Sequence, residues 1–153
     1  MSELKIKNLC YIINDKGQAL LQFKRRGFGV GKWNGPGGKV EPEETVEQSV
    51  IREVKEETGL EVNDLKKMAE LEFYFENRQE WDNITYVYVA KNYSGEITAN
   101  DEGELKWFKI DELPFSRMWD DDPHWLPKVL AGEFMKMKFY FDHEGKLLKH
   151  EKL

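Results

Sequence analysis

The sequence predicts an α/β (α+β) fold, a mixed arrangement of short strands around one long amphipathic helix, with a second, shorter helix near the end. Two observations carry this. Several runs rich in β-branched and aromatic residues are punctuated by turn signals, and only one segment has sustained helical periodicity. A dense glycine tract just before that helix marks where backbone can approach a ligand closely.

Taken in order, residues 4–13 and 19–24 read as strands around the Asn14-Asp15-Lys16-Gly17 turn. The tract RRGFGVGKWNGPGGK follows, with glycines at 27, 29, 31, 35, 37 and 38, a density expected to forbid regular structure. Residues 45–58 form the long helix, ended by Gly59 as a C-terminal cap. Residues 66–75 and 84–93 read as paired strands, and 105–110 as another. Asp122-Pro123 opens the short helix, with the aspartate as cap and the proline at the first helical position. Residues 137–141 and 146–149 close the chain as a hairpin around His143-Glu144-Gly145. This pattern fits α+β or an α/β/α sandwich, and strand order cannot be read from it. No repeat or linker divides the chain, so one domain over residues 1–153 is expected.

Composition narrows the function classes. Hydrophobic residues make up 40% and charged residues 34%, an ordinary globular balance. A net charge of −6 argues against a duplex nucleic-acid surface, which needs a basic face. It leaves open a small phosphorylated ligand whose charge a divalent cation offsets. Cys10, the single cysteine, excludes an internal disulfide and a multi-cysteine zinc site, and its apolar surroundings mark it as a small buried hydrophobe. No secretory signal and no apolar run of about 20 residues is present, so a cytoplasmic, membrane-free setting is expected. A monomer is the default.

The long helix carries the chemistry. On a helical wheel Val46, Val50 and Val54 form one stripe, extended by Ile51, while Glu53, Glu56 and Glu57 form a second stripe bordering it. Gln48, Arg52 and Lys55 take the outer arc. Carboxylates at i,i+3 and i,i+4 repel, and partial burial raises the cost. A hard divalent cation removes the conflict, because magnesium and manganese prefer carboxylate oxygens. Read from the helix alone, a solvated acidic face paired with Lys55 and Arg52 is equally good. Gly37-Gly38, able to bring a carbonyl to the same face, and Arg52, able to orient a carboxylate, favour the metal reading.

The same residues resemble the Nudix box: Gly38, Glu44, then Arg52-Glu53-Val54-Lys55-Glu56-Glu57-Thr58-Gly59-Leu60, every fixed position at the right spacing. The resemblance implies the Nudix fold, a mixed β-sheet sandwiched between helices. It also implies metal ligation (Mg2+, with Mn2+ as substitute) by Glu53, Glu56 and Glu57 with the Gly37 carbonyl, while Glu44 and Arg52 hold loop and helix in register. The reaction would be water attack on a diphosphate linkage.

Beyond the box, KRRGFGVGKWNGPGGKV, DEGELKWF and PFSRMWDDDPHWLP are similar to the MutT-like branch of the family that acts on oxidised purine nucleoside triphosphates. That similarity implies base recognition by Asn34, Trp119, Asp121 and Asp122. It puts Phe28, Lys24, Asn8, Gly37 and Gly38 in the substrate pocket, and makes Glu102 a further catalytic and metal-binding carboxylate. Pro36 stands where an aromatic residue is expected, Asp120 where proline is, and Asn8 where threonine is.

An indole that stacks on a purine beside two carboxylates that read its edge has a physical logic, since neighbouring acids resist double ionisation and one keeps its proton. Without the resemblance, Asp122 would be a helix cap, Asp120 and Asp121 loop decoration and Trp119 core. Asn34 would be a turn residue and Glu102 a turn acid. Trp33, Trp81, Trp107 and Trp125 read as core or rim. The histidines have no ligand spacing. The expected activity is hydrolysis of an 8-oxo-dGTP-type nucleotide to monophosphate and pyrophosphate. The competing readings are another nucleoside diphosphate-linked substrate or a non-catalytic nucleotide-binding module.

Overall fold

The computed structural model describes residues 4–98 and 103–153. A six-stranded mixed sheet is its centre. The strands are β1 (Lys5–Ile12), β4 (Gly37–Lys39), β6 (Lys66–Phe75), β7 (Asn83–Ala90), β10 (Met135–Phe141) and β11 (Leu147–Lys152), in the order β11-β10-β6-β7-β1-β4. The β1–β7 and β6–β10 pairs run parallel and the others antiparallel. A second, antiparallel sheet joins β2 (Gln18–Lys24) to β3 (Trp33–Asn34) and β9 (Gly103–Lys109), and a small ladder pairs β5 (Glu61–Asn63) with β8 (Asn92–Ser94).

Strand alternation sends side chains to opposite faces, and β1 shows what each face buries. Cys10 and Ile12 join Val50 and Val54 of α1 (Val46–Thr58) in one cluster. Tyr11 joins Trp125, Leu126 and Val129 of α2 (Asp122–Leu130) in the other. The two helices therefore cover opposite faces of the central sheet, as the sandwich reading requires. No helix among the described residues is long and apolar enough to cross a membrane.

Local rules place most boundaries. Thr45 caps α1 with a reciprocal capping box: its side chain accepts from Gln48 N–H, and Gln48 Oε1 accepts from Thr45 N–H. Gly59, at φ 84°, ends the helix in the left-handed conformation.

Four expectations need correction. The glycine tract does contain regular structure, β3 and β4, because the missing side chains let its backbone pair closely with β1 and β2. The strand expected over 84–93 stops at Ala90, and Asn92–Ser94 leaves to pair with β5. Ile51 does not extend the buried stripe; it is 42% exposed. Asp122 is the first helical residue and Asp121 holds the cap position without capping, since its carboxylate accepts from Trp125 Nε1 (2.8 Å).

Thr45→Ala removes the hydroxyl half of the α1 capping box and leaves the Thr45 N–H to Gln48 Oε1 half in place. It should cost about 1 kcal/mol, lowering the melting midpoint by roughly 2–4 °C. An unchanged midpoint in a thermal melt would show that the Thr45 hydroxyl adds nothing to α1.

Candidate functional site

Where β1, β2, the glycine tract and the start of α2 meet, they enclose a cavity of about 330 Å³. All nine residues expected to bind substrate line it: Asn8, Lys24, Phe28, Asn34, Gly37, Gly38, Trp119, Asp121 and Asp122. Phe73, Phe75 and Phe141 complete an aromatic wall. Phe28 stacks on Trp119 (5.1 Å between centroids, 24° between planes). It sits between Gly27 (φ 84°) and Gly29 (φ 85°), which take left-handed conformations that a larger residue would resist.

The polar groups are held in defined directions. Ser49 Oγ donates to Val46 O (2.5 Å), so it can only accept from Asn8 Nδ2 (2.8 Å), and Asn8 Oδ1 is left buried without a partner. Asn34 Oδ1 accepts from Tyr11 Oη (3.1 Å) and Gly35 N–H (2.9 Å), which leaves its NH2 as the end available to a ligand. Asp121 and Asp122 are only 3% and 2% exposed, and Asp122 Oδ2 has no partner. Burial pushes the Asp121 carboxyl up to about 6. For Asp122, burial together with the neighbouring Asp121 charge pushes it well above the ordinary carboxylate range, which favours its protonated form.

Beside the cavity lies α1. Gly38 packs on Glu53 so closely that a Cβ there would sit 2.6 Å from the carboxylate carbon, and Gly37 N–H donates to Glu57 Oε2 (2.9 Å). Arg52 forms a bidentate pair with Glu44 (Nη2–Oε1 2.6 Å, Nε–Oε2 3.1 Å) and donates through Nη1 to Glu53 (2.8 Å) and Glu56 (3.3 Å). It also donates to Lys39 O (3.1 Å), so one guanidinium ties the β4 end, the loop acid and the helix acids together. Glu57 is buried, Glu53 half-buried, and Glu56 exposed and drawn to Arg52. As these side chains stand, no three acidic, histidine or cysteine groups among the described residues converge on one ion position. Glu102 lies outside the described residues.

A chain that sets a glycine pair against a helix bearing this Arg-Glu-x-x-Glu-Glu run matches the NUDIX domain model over residues 5–129. The protein belongs to the Nudix family.

It is 41% identical to an oxidized purine nucleoside triphosphate hydrolase from Danio rerio, over 92% of this chain and 89% of that protein. With the protein of the same name from Mus musculus it shares 34% identity, over 98% and 95% of the two chains. Its fold is similar to the crystal structure of a MutT protein from Bacillus halodurans, with a TM-score of 0.86, 27% identity and 97% of each chain covered. The Nudix protein is accordingly an enzyme of the hydrolase class.

Two departures from the family pattern lie away from the cavity lining. Pro36 is buried, its carbonyl accepting from Cys10 N–H (2.7 Å), and Asp120 accepts from Leu147 N–H (3.1 Å). The aromatic wall does not depend on position 36. None of the histidines lines the cavity. Cys10 is fully buried, which pushes its thiol up to about 12, as an inert core residue requires.

Sequence reasoning missed Lys7 and Gln22. Lys7 stands opposite Lys39 across the β1–β4 ladder, and its ammonium lies 4.4 Å from the Phe28 ring centroid. Burial, then the charges of Lys5, Lys24 and Lys39, lower it to about 8. Like charges directly opposite are unfavourable, a signal that a cross-strand pairing could have supplied and a linear sequence could not.

Protonation of the acid pair makes stability depend on pH. Above about pH 4 the unfolded chain releases the Asp122 proton that the folded chain keeps, so stability falls as pH rises toward the folded pKa. Asp121 adds in the same direction up to about pH 6. Asp122→Asn should flatten this decline and raise the urea midpoint at pH 8 relative to wild type. A parallel pair of midpoint-against-pH curves would exclude a buried proton at Asp122.

Proposed function

We propose that this Nudix hydrolase converts oxidised purine nucleoside triphosphates of the 8-oxo-dGTP type to the monophosphate and pyrophosphate. The observation that carries the reading is the buried pair Asp121 and Asp122, which lines with Trp119 a cavity that adjoins the Nudix helix, where burial favours the protonated form of Asp122. The Danio rerio and Mus musculus relatives support it by name and by coverage of nearly the whole chain.

The cavity supplies the base site. Asp121 as acceptor, Asp122 as donor and the Asn34 NH2 as a further donor suit a purine lactam, which presents both donors and acceptors along its edge. Oxidation at C8 turns N7 from an acceptor into an N–H donor, and a fixed acceptor such as Asn8 Oδ1 is suited to such a group. One mispaired buried polar contact costs about 1–3 kcal/mol, enough for roughly tenfold to hundredfold discrimination. Lys7, Lys24 and Lys39 line the same cavity and draw the triphosphate toward α1, so the net charge of −6 does not repel it locally.

The donor set fits a hard divalent cation, Mg2+ with Mn2+ as substitute. Glu53, Glu56, Glu57 and the Gly37 carbonyl would hold it, and glycine at 38 leaves the Glu53 carboxylate the room that a Cβ there would take. When bound, the cation screens phosphate charge and favours a nucleophilic water. Glu44 and Arg52 position the acids through the bidentate pair, and Glu102 is assigned to the water or the metal. A small nucleotide is the expected partner, in a monomeric, single-domain, cytoplasmic protein.

With magnesium, kcat/KM for 8-oxo-dGTP should exceed that for dGTP by about tenfold or more, with pyrophosphate as product. A ratio near one, with efficient cleavage of a dinucleotide or nucleotide sugar, would overturn the substrate assignment. Glu57→Gln and Glu56→Gln should each lower turnover about a hundredfold while the fold persists. Near-normal turnover in both would remove these acids from the catalytic set.

A further inference from the structure

Gln22, on β2, is 2% exposed and lines the cavity. Glutamine is seldom buried this deeply, and a buried amide without partners is costly. Among the described residues, Gln22 makes no side-chain hydrogen bond, and its buried Nε2 has no partner. The contrast with its neighbours is informative. Asn8 is locked with its carbonyl oxygen free, and Asn34 with its NH2 free, each by hydrogen bonds from the protein. Among the described residues, Gln22 alone of these three amides is tied at neither end.

Its placement is built as well. Gln22 is the direct cross-strand partner of Asn34, so the two amides leave the same face of the β2–β3 ladder, with Cβ atoms about 5 Å apart. On the other side of β2, a Cβ at Gly103 would fall 2.3 Å from the Phe23 carbonyl oxygen and 2.8 Å from Gln22 Cγ, so glycine there makes room for the β2 backbone and for this side chain together. The strand pairing on both sides therefore accommodates a long polar side chain where an apolar residue would fill the space at no polar cost.

We propose that Gln22 is a specificity-determining residue of the base pocket, its untied amide turning to offer either N–H or C=O to the substituent by which purines differ. A 6-keto purine presents an acceptor there and a 6-amino purine a donor. Asn34 offers only a donor, whereas Gln22 serves both. The cavity can then take more than one oxidised or deaminated purine without rebuilding its aromatic wall. The inference rests on the base entering this cavity, as in the function proposed above.

The experiment compares deoxyinosine and deoxyadenosine triphosphates, which differ at the 6-substituent and at the protonation of N1, with wild type and with Gln22→Met, which keeps length and removes both polar ends. Steady-state kinetics with magnesium are read alongside calorimetric Kd values of the two monophosphates without metal. Gln22→Met should lower kcat/KM about tenfold for both triphosphates, through KM rather than kcat, and weaken both monophosphates by a similar factor. The melting midpoint should fall by no more than a few degrees. A loss for only one purine would overturn the turning amide and make Gln22 a one-way donor or acceptor. Effects below twofold on both, or a loss in kcat alone, would remove it from base recognition. Preference for 8-oxo-dGTP over dGTP is a separate measurement, so failure of the oxidised-purine reading leaves this comparison legible.

Discussion

At residues 37 and 38 there is no room for a side chain. A Cβ on Gly37 would lie 2.1 Å from the Asn8 carbonyl oxygen, and one on Gly38 would lie 2.6 Å from the Glu53 carboxylate carbon. The pair is thus a spacer of minimal thickness between β1 and α1. It brings the Gly37 N–H to Glu57 and sets the end of the cavity against the acidic stripe of the helix. A bulkier residue would force backbone apart from backbone, and the base site and the carboxylates would no longer adjoin. Arg52 completes the clamp from the other side, since it holds the Lys39 carbonyl and the acids at 44, 53 and 56 at once.

The two ends of the site store opposite electrostatic conflicts. At one end, three carboxylates share one helix, Glu53 and Glu56 bonded by the Arg52 guanidinium and Glu57 by the Gly37 N–H. At the other, Lys7 faces Lys39 across a ladder, and two buried aspartates share a shell of aromatic rings. In the proposed function each conflict would be relieved by a ligand of the opposite or complementary kind: a cation among the carboxylates, phosphate among the lysines, a hydrogen-bonding base edge at the acid pair. A nucleoside triphosphate with a divalent metal would satisfy all three together. The polar atoms left buried without partners, on Asn8, Gln22 and Asp122, belong to the same cavity and express the same unmet demand.

The linear pattern sufficed for whatever depends on near neighbours along the chain. The helix over residues 45–58 and its end at Gly59 were legible, because periodicity and caps involve residues three or four apart. The acidic stripe and Arg52 follow from helical spacing, while the Asn14-Asp15-Lys16-Gly17 turn located β1 and β2 and a run rich in aromatic residues located β6. The Nudix box is legible for the same reason, and the base-site residues were legible only through resemblance, since they lie on distant segments. Tertiary structure decided what depends on which segments meet. It turned part of the glycine tract into strands by laying it on β1, exposed Ile51, and moved the helix start so that Asp121 bonds Trp125 instead of capping. It also brought Lys7 and Gln22 to the cavity. Neither has a signature in sequence, because a buried amide or a crowded lysine is recognised by its surroundings, and those surroundings exist only after β1, β2 and β4 have packed.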